Sequence, residues 1–504
     1  MKKITLYNVL SNLILQILTI INFLIIPKLI LTYFGSEVNG LISSINQFLS
    51  YISLIEGGIT GVIIANLYKP IIEKDENKIN SIYITAKKFY LKVAYIFILY
   101  SLILGILYPL IFETSFSFIY VFSLIIILSI NLLIQYMFSI TNKSLLQADK
   151  KIYIVSNIQS IIIIANIVLS IISLKVYPNI HILKLLSGLL YFLQPVIYNY
   201  YVKKHYSINK IAKPDNSLLK QRWDGFAINI AAFVHISTDI TLLTIFTDLK
   251  TVSIYSVYAL ITNGIKQIIT SITSSITPTI GQSYAKKNID DLNEKMDIYE
   301  YIVFIAVFLL YSVTLILITP FVLLYTSNIL DTNYNQPLFG ILLVISEAIY
   351  LIKTHHLNLA YSANKFKEIT RPAFIEASIN IIISLLLVRK KGLIGIMIGT
   401  IIAMLYRMVF HINFTKKHII NRNQSIFYKK LIIFTFTSTV LITICKKILP
   451  IVEIDFISWL IHAVCYMFIF SLGYYIISIL FFKKELNYLK KYIFKKGDGN
   501  FGKW

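Results

Sequence analysis

The chain has 504 residues, 57% apolar and only 14% charged, with a mean hydropathy of +0.73. That composition excludes a soluble globular protein and defines a polytopic, all-α membrane protein. Its formal charge of +23 needs no nucleic acid to explain it if the basic residues follow membrane topology, and two cysteines are too few for a disulfide framework.

Met1-Lys2-Lys3 leads straight into an apolar run of more than 20 residues, which reads as a membrane helix rather than a removable signal. Runs long enough to cross a bilayer follow at 8–33, 39–67, 88–112, 117–141, 153–174, 181–202, 225–247, 252–281, 299–325, 336–362, 371–388, 392–414, 429–448 and 455–482. Fourteen spans are therefore expected, with twelve as the conservative alternative, because Ser, Thr and Asn dilute the fifth to eighth runs. The loops between them alternate in charge. One alternate set, with both termini, holds 34 of the 47 Lys and Arg; the other holds eight. This asymmetry predicts an even number of spans with both termini cytoplasmic. The outward loops are very short and the cytoplasmic ones reach only about 20 residues, so neither side has room for a catalytic domain. The tail KKELNYLKKYIFKKGDGNFGKW (483–504) reads as a basic amphipathic helix on an anionic leaflet, with a solvated tail as the alternative.

An internal repeat divides the chain. EVNGLISSINQFLSYI (37–52) and TVSIYSVYALITNGIK (251–266) each open a span after a short outward loop, at an offset of 214 to 216 residues. Two six-span lobes follow, 1–202 and 225–414, joined by a linker at 203–224, with two accessory spans at 415–482 and the tail from 483.

Ionisable residues inside spans mark interior faces or pathways by default. In SLIEGGITG (53–61), Glu56 stands beside Gly57 and Gly58, which suits a bend or close packing in span 2. Lys28 is nearer the outward surface than Glu56 by about 17 Å at 1.5 Å per residue, so the two are not direct partners. The repeat matches Glu56 in depth with Lys266 in the second lobe, and Lys28 with Asp239. Glu347 and Lys353 in span 10, with His355, His356 and Arg407, add charge on the C-terminal side. A protonated, hydrogen-bonded carboxyl is the structural alternative for Glu56, a structural role for Asp239, and snorkelling for Lys266 and Lys353. No spacing of His, Cys, Asp and Glu resembles a zinc site, and no phosphate-cradling Gly-x-x-x-x-Gly-Lys loop occurs, so neither metal chemistry nor direct ATP use is expected.

Three stretches carry a family resemblance: YFGSEVNGLISSINQFLSYISLIEGGITGVIIANLYKPI (33–72), STDITLLTIFTDLKTVSIYSVY (237–258) and ANKFKEITRPAFIEASINIIISLLLVRKKGLIGIMIGTIIAMLYR (363–407). The chain resembles bacterial polysaccharide repeat-unit flippases of the multidrug/oligosaccharidyl-lipid/polysaccharide exporter superfamily, which serve O-antigen, capsule and exopolysaccharide assembly. The resemblance implies a bacterial cytoplasmic-membrane protein working by alternating access. It implies as substrate an oligosaccharide on undecaprenyl pyrophosphate, and as partners membrane lipids, a polymerase and other polysaccharide-assembly proteins. Lys28, Lys266, Lys353 and Arg407 become candidates for the pyrophosphate, since a Lys or Arg in a wet cavity can accompany that charge. Glu56, Asp239 and Glu347 become candidate gating acids, or sites for a coupling H+ or Na+ with no other cofactor. Gly57, Gly58, Gly392, Gly395 and Gly399 are candidate hinge or packing positions. A cation-coupled multidrug exporter of the same superfamily is the alternative, and a membrane enzyme such as a polysaccharide polymerase is a third class that the short outward loops oppose.

Overall fold

A computed structural model describes residues 2–56, 58–209, 212–215, 218, 223–286, 289–420, 422–451 and 455–494. Helices dominate, no strand occurs among the described residues, and each of the fourteen apolar runs coincides with helix. Among the described residues, ten helical stretches are long and apolar enough to cross a membrane. Two of these, Tyr7–Glu56 and Phe366–His418, each hold two predicted spans. The runs at 225–247 and 252–281 are helical too. The chain separates into two compact units, Met1–Ser253 and Ile254–Trp504.

In the first unit, α1 (Lys2–Ser50) is two helical arms joined at Gly35, whose φ of 80° suits glycine alone. Span 2 does not run on as one helix. After Ser50 it continues as α2 (Ser53–Glu56) and α3 (Ile59–Glu73), and Gly58 before α3 is left-handed with φ 79°. The expected break is therefore present at Gly58; Gly57 lies outside the described residues. Asp75 caps α4 (Glu76–Ile111) by accepting from the Lys78 amide, and Ser117 caps α5 (Phe118–Ile134) in the same way. A π-helical turn, Gln135–Ser139, leads from α5 into α6 (Ile140–Ala148). The next helix, α7 (Ile152–Val176), lies along α1, where the Asn8 amide bonds Lys150 O at 2.8 Å and the Tyr153 amide at 2.9 Å. Span 6 is broken at Tyr191–Phe192 into α8 (Ile180–Leu190) and α9 (Leu193–His205).

The compact unit reaches past the expected lobe end at 202. Helix α10 (Trp223–Phe246) packs on α1 through a polar ladder: Thr244 donates to Ser44 Oγ at 2.8 Å, and Tyr51 and Thr241 share a 2.9 Å hydrogen bond. Part of the expected linker is fastened to α4. Asn80 bonds both Ser207 O and the Asn209 amide, and Lys78 pairs with Asp215 at 2.7 Å. Tyr206 donates to Asp149 at 2.5 Å; burial, then that carboxylate, raises its pKa.

The second unit is built on α12 (Ile289–Tyr325), reached through α11 (Leu249–Ala285), which crosses the unit boundary. Against α12 pack α13 (Pro337–Ile352), α16 (Ser425–Ile448) and α17 (Phe456–Phe481). Tyr474 of α17 sits between Ser312 at 3.2 Å and Ser438 at 2.6 Å, tying both accessory spans to α12. Short α14 (Thr354–Ser362) completes span 10.

Helix α15 (Phe366–His418) is a hairpin rather than a rod. Gly392 adopts φ 51°, ψ −126°, and the arms on either side of it fold back on each other. Asn380 donates to Thr400 at 3.3 Å, and Ser384 donates to Asn380 and to Ile396 O. A Cβ at Gly395 would lie 2.7 Å from the Leu387 backbone, and one at Gly399 2.3 Å from Ser384 Oγ. Gly392 thus makes the turn, while Gly395 and Gly399 let the arms touch. The tail begins as α18 (Lys483–Phe494), anchored by Glu485 to Lys430 at 3.5 Å and by Lys484 to Glu294 at 3.7 Å; residues 495–504 lie outside the described residues.

Candidate functional site

The Gly392 hairpin sets Glu376 on one arm opposite Arg407 on the other, 16 and 15 residues from the turn. Arg407 Nη1 donates to Glu376 Oε2 at 2.9 Å, and Lys353, at the end of α13, reaches Glu376 Oε1 at 3.1 Å. All three side chains are at most 7% exposed. Arg407 also donates from Nε to His411 Nε2 at 2.7 Å, which makes that nitrogen an acceptor and His411 neutral. One carboxylate therefore faces two cations in a dry interior, and the cluster is one negative charge short.

A second pair continues this row. Lys266 of α11 lies 3.0 Å from Glu347 of α13, with the two side chains 23% and 19% exposed. The Lys266 ammonium stands 4.1 Å from the Tyr350 ring centre, and Lys353 stands 5.0 Å from the same ring. Cation–π contact of this kind contributes roughly 0.5–2 kcal/mol and holds an ammonium without neutralising it. The second unit thus carries a continuous row, Glu347–Lys266–Tyr350–Lys353–Glu376–Arg407–His411, accessible at its first end and buried at the other. Three of the four expected cations, Lys266, Lys353 and Arg407, are in it, with the expected acid Glu347.

Beside this row, fully buried Glu300 of α12 is bidentate to Arg422, at 2.7 and 2.8 Å, and 3.1 Å from Lys430. His355 and His356 approach it at 3.3 and 3.7 Å. Glu300, His355 and His356 have the spacing of a metal site. The donor set does not fit one: both Glu300 oxygens are engaged by cations, and a dication would face Arg422 and Lys430 at contact distance. Burial alone would lower the pKa of Arg422; the Glu300 and Asp297 carboxylates outweigh it and hold the guanidinium above its ordinary value.

In the first unit, Glu56 accepts from Thr60 and, at 3.4 Å, from Tyr136 on the π-helical turn. Thr60 also shares a 2.6 Å hydrogen bond with Tyr90, and Lys143 lies within electrostatic reach of Glu56. Lys28 is half-buried on the first arm of α1, and Asp239 is buried on α10 beside Ser237 and Thr238. Lys266 and Glu56, matched by depth in the sequence, each have a partner of their own within their own unit.

Glu376, Glu300, Arg422 and Lys430 were not singled out by sequence reasoning. For Glu376 a signal existed: it stands in RPAFIEAS, 16 residues before Gly392, while Arg407 stands 15 after it.

No protein-family model and no curated protein matches this sequence. Solved structures do match. The chain is similar to lipid II flippase MurJ in an inward closed conformation, at 15% identity over 94% of this chain and 99% of that one, with a TM-score of 0.74. It is also similar to an inward-facing multidrug resistance MATE family transporter of the MOP superfamily (13% identity, 78% and 93% covered, TM-score 0.59). A eukaryotic MATE transporter, AtDTX14, matches at 14% identity, with 85% and 98% covered and a TM-score of 0.59. The chain therefore has the all-α, multi-pass fold that these transporters share.

Proposed function

We propose that this protein is a flippase that moves oligosaccharide repeat units on undecaprenyl pyrophosphate from the inner to the outer leaflet of a bacterial cytoplasmic membrane, by alternating access, for surface polysaccharide assembly. The observation that carries the reading is the row from Lys266 to Arg407, in which three cations meet two carboxylates. A pyrophosphate is a polyanion that hydrocarbon rejects, and a row with a deficit of negative charge offers it compensation along a path. Lys266, the more accessible cation, receives the phosphate first; Lys353 and Arg407 hold charge behind it. The similarity to a lipid II flippase over almost the whole of both chains supports the same reading. The basic loops orient both termini to the cytoplasm in this proposal, with H+ or Na+ as coupling ion and polysaccharide-assembly proteins as partners.

Deletion in the source organism followed by analysis of undecaprenyl-linked sugars tests it. The expected outcome is accumulation of complete repeat units in the inner leaflet and loss of surface polysaccharide. Unchanged lipid-linked sugars together with increased sensitivity to cationic drugs would replace this reading with that of a cation-coupled exporter, which the MATE-like fold would also serve.

A further inference from the structure

A cavity of about 250 Å³ opens at the basic end of the first unit, between α4, the π-helical turn with α6, and α9. Three independent features of the chain converge on it. The π-helical turn Gln135–Ser139 presents Met137 and Phe138 to the cavity. Span 6 is interrupted at Tyr191–Phe192, and Phe192, Pro195, Val196 and Asn199 line one face of the helix that restarts there. Irregular backbone at membrane depth is tolerated where it lines a cavity, and π-turns recur at binding sites. Finally, Lys87 of α4 lines the cavity with an exposed side chain, and no carboxylate pairs with it among the described residues.

The lining is graded. Lys87, Thr141, Asn142 and Asn199 supply its polar groups, the buried Asn142 amide fixed by a 2.7 Å hydrogen bond from Tyr83. Phe138 and Phe192, in edge-to-face contact at 5.8 Å, and Val196 form an exposed apolar wall. Phe192, at the N-cap of α9, and Asn199 are seven residues apart, so the apolar wall and this amide are separated by about 10 Å along the helix.

We infer that this cavity is a binding site for an anionic phospholipid: its headgroup phosphate on Lys87 and the amides and hydroxyl of the lining, its acyl root on the Phe138–Phe192 wall. The charge is of the sign that selects anionic lipid, and the site opens at the end where the basic loops gather. Nothing in the assignment depends on what the protein transports.

Thermal unfolding of the full-length purified protein, titrated with short-chain phosphatidylglycerol, phosphatidylcholine or inorganic phosphate, tests the site. Phosphatidylglycerol is expected to raise the melting temperature saturably, while the other two do not. Lys87→Glu, an exposed substitution that leaves the unliganded melting temperature within a few degrees, should weaken the apparent affinity about tenfold or more. Val196→Trp, which crowds the apolar wall, should weaken it with Lys87 intact. Equal stabilisation by phosphatidylcholine would overturn the charge selection. Full stabilisation by inorganic phosphate would replace the lipid with a soluble anion. Unchanged phosphatidylglycerol affinity in both variants would remove the site.

Discussion

Asn39 donates to Ser253 Oγ at 2.8 Å, both residues buried, and the two are separated by 214 residues, the offset of the internal repeat. Counterpart positions in EVNG and TVSI thus hold each other directly. Gly40 is beside them because a Cβ there would lie 1.7 Å from Leu249 O, so only glycine lets α1 come this close to the start of α11. A buried amide and hydroxyl that satisfy each other cost little while paired and about 1–3 kcal/mol when one is orphaned. Asn39→Leu and Ser253→Ala should each destabilise the protein by about that amount. The double variant should be less unstable than the sum, with a coupling of about 1 kcal/mol in a thermal or denaturant cycle. Strict additivity would mean that the contact does not hold the helices together.

The Lys353–Glu376–Arg407 cluster predicts an order of effects rather than a single loss. Lys353→Met leaves Glu376 with one cation, Arg407, and should cost no more than about 1 kcal/mol. Glu376→Leu strands two buried cations and should cost about 3–5 kcal/mol. Adding Lys353→Met and Arg407→Met to Glu376→Leu should recover most of that stability while abolishing transport. Thermal unfolding in detergent gives the order; equal costs for the Lys353 and Glu376 substitutions would contradict the charge balance.

The hairpin at Gly392 separates turn strain from packing. Gly392→Ala meets nothing within 4 Å but must adopt a φ of 51°, a strain of about 1–3 kcal/mol. Gly399→Ala keeps a helical backbone but drives its Cβ into Ser384, including the main-chain nitrogen at 2.9 Å, and so parts the arms that carry Glu376 and Arg407. Gly399→Ala should therefore lower the melting temperature more than Gly392→Ala. It alone should also lower transport among protein that still folds, since it loosens the Glu376–Arg407 contact.

Each of the fourteen apolar runs coincides with helix because bilayer length imposes a minimum that loops do not meet. Of the three glycines with positive φ, Gly58 stood out beside Glu56 in an apolar run and Gly392 came with the family resemblance, whereas Gly35, which joins the arms of α1, was passed over. The partnerships were not legible. Matching depths across the repeat compared only charges already singled out. It passed over Glu376, which is invisible until the hairpin folds back on itself, and it did not pair Lys266 with Glu347, which lie in different spans. Glu300 stands at the very start of its apolar run and reads as an interfacial acid until Arg422, from a distant loop, closes on it. The π-helical turn QYMFS contains no Gly or Pro and gave no sign of itself.

The Glu300 cluster yields a test by chelation. Because Arg422 and Lys430 occupy both carboxylate oxygens, a strong chelator should leave the melting temperature unchanged, and added Zn²⁺ should not raise it. Glu300→Gln, by contrast, removes the charge that neutralises two buried cations and should cost about 3–5 kcal/mol. A melting temperature that falls with chelator and is restored by metal would show that His355, His356 and Glu300 hold an ion after all.

Glu56 separates charge from packing at the break in span 2. Thr60 donates to one carboxylate oxygen and Tyr136 to the other; in Glu56→Gln one of these becomes an amide nitrogen, and the hydroxyl facing it can turn to accept, so the variant should preserve the local structure and lose less than about 1 kcal/mol. Glu56→Leu removes both acceptors and leaves the Tyr136 hydroxyl in search of a partner, for a cost of about 1–3 kcal/mol. If the acid acts by its charge, both variants should lose at least about tenfold in transport, matching a loss of about 1.4 kcal/mol or more at the limiting step. If Glu56 serves only to fasten α2 to the π-helical turn, Glu56→Gln should transport normally and Glu56→Leu should fail in proportion to its instability. Surface-polysaccharide yield measured beside protein level distinguishes these outcomes, and full activity in Glu56→Leu would leave Gly58 as the only feature of this break with a mechanical role.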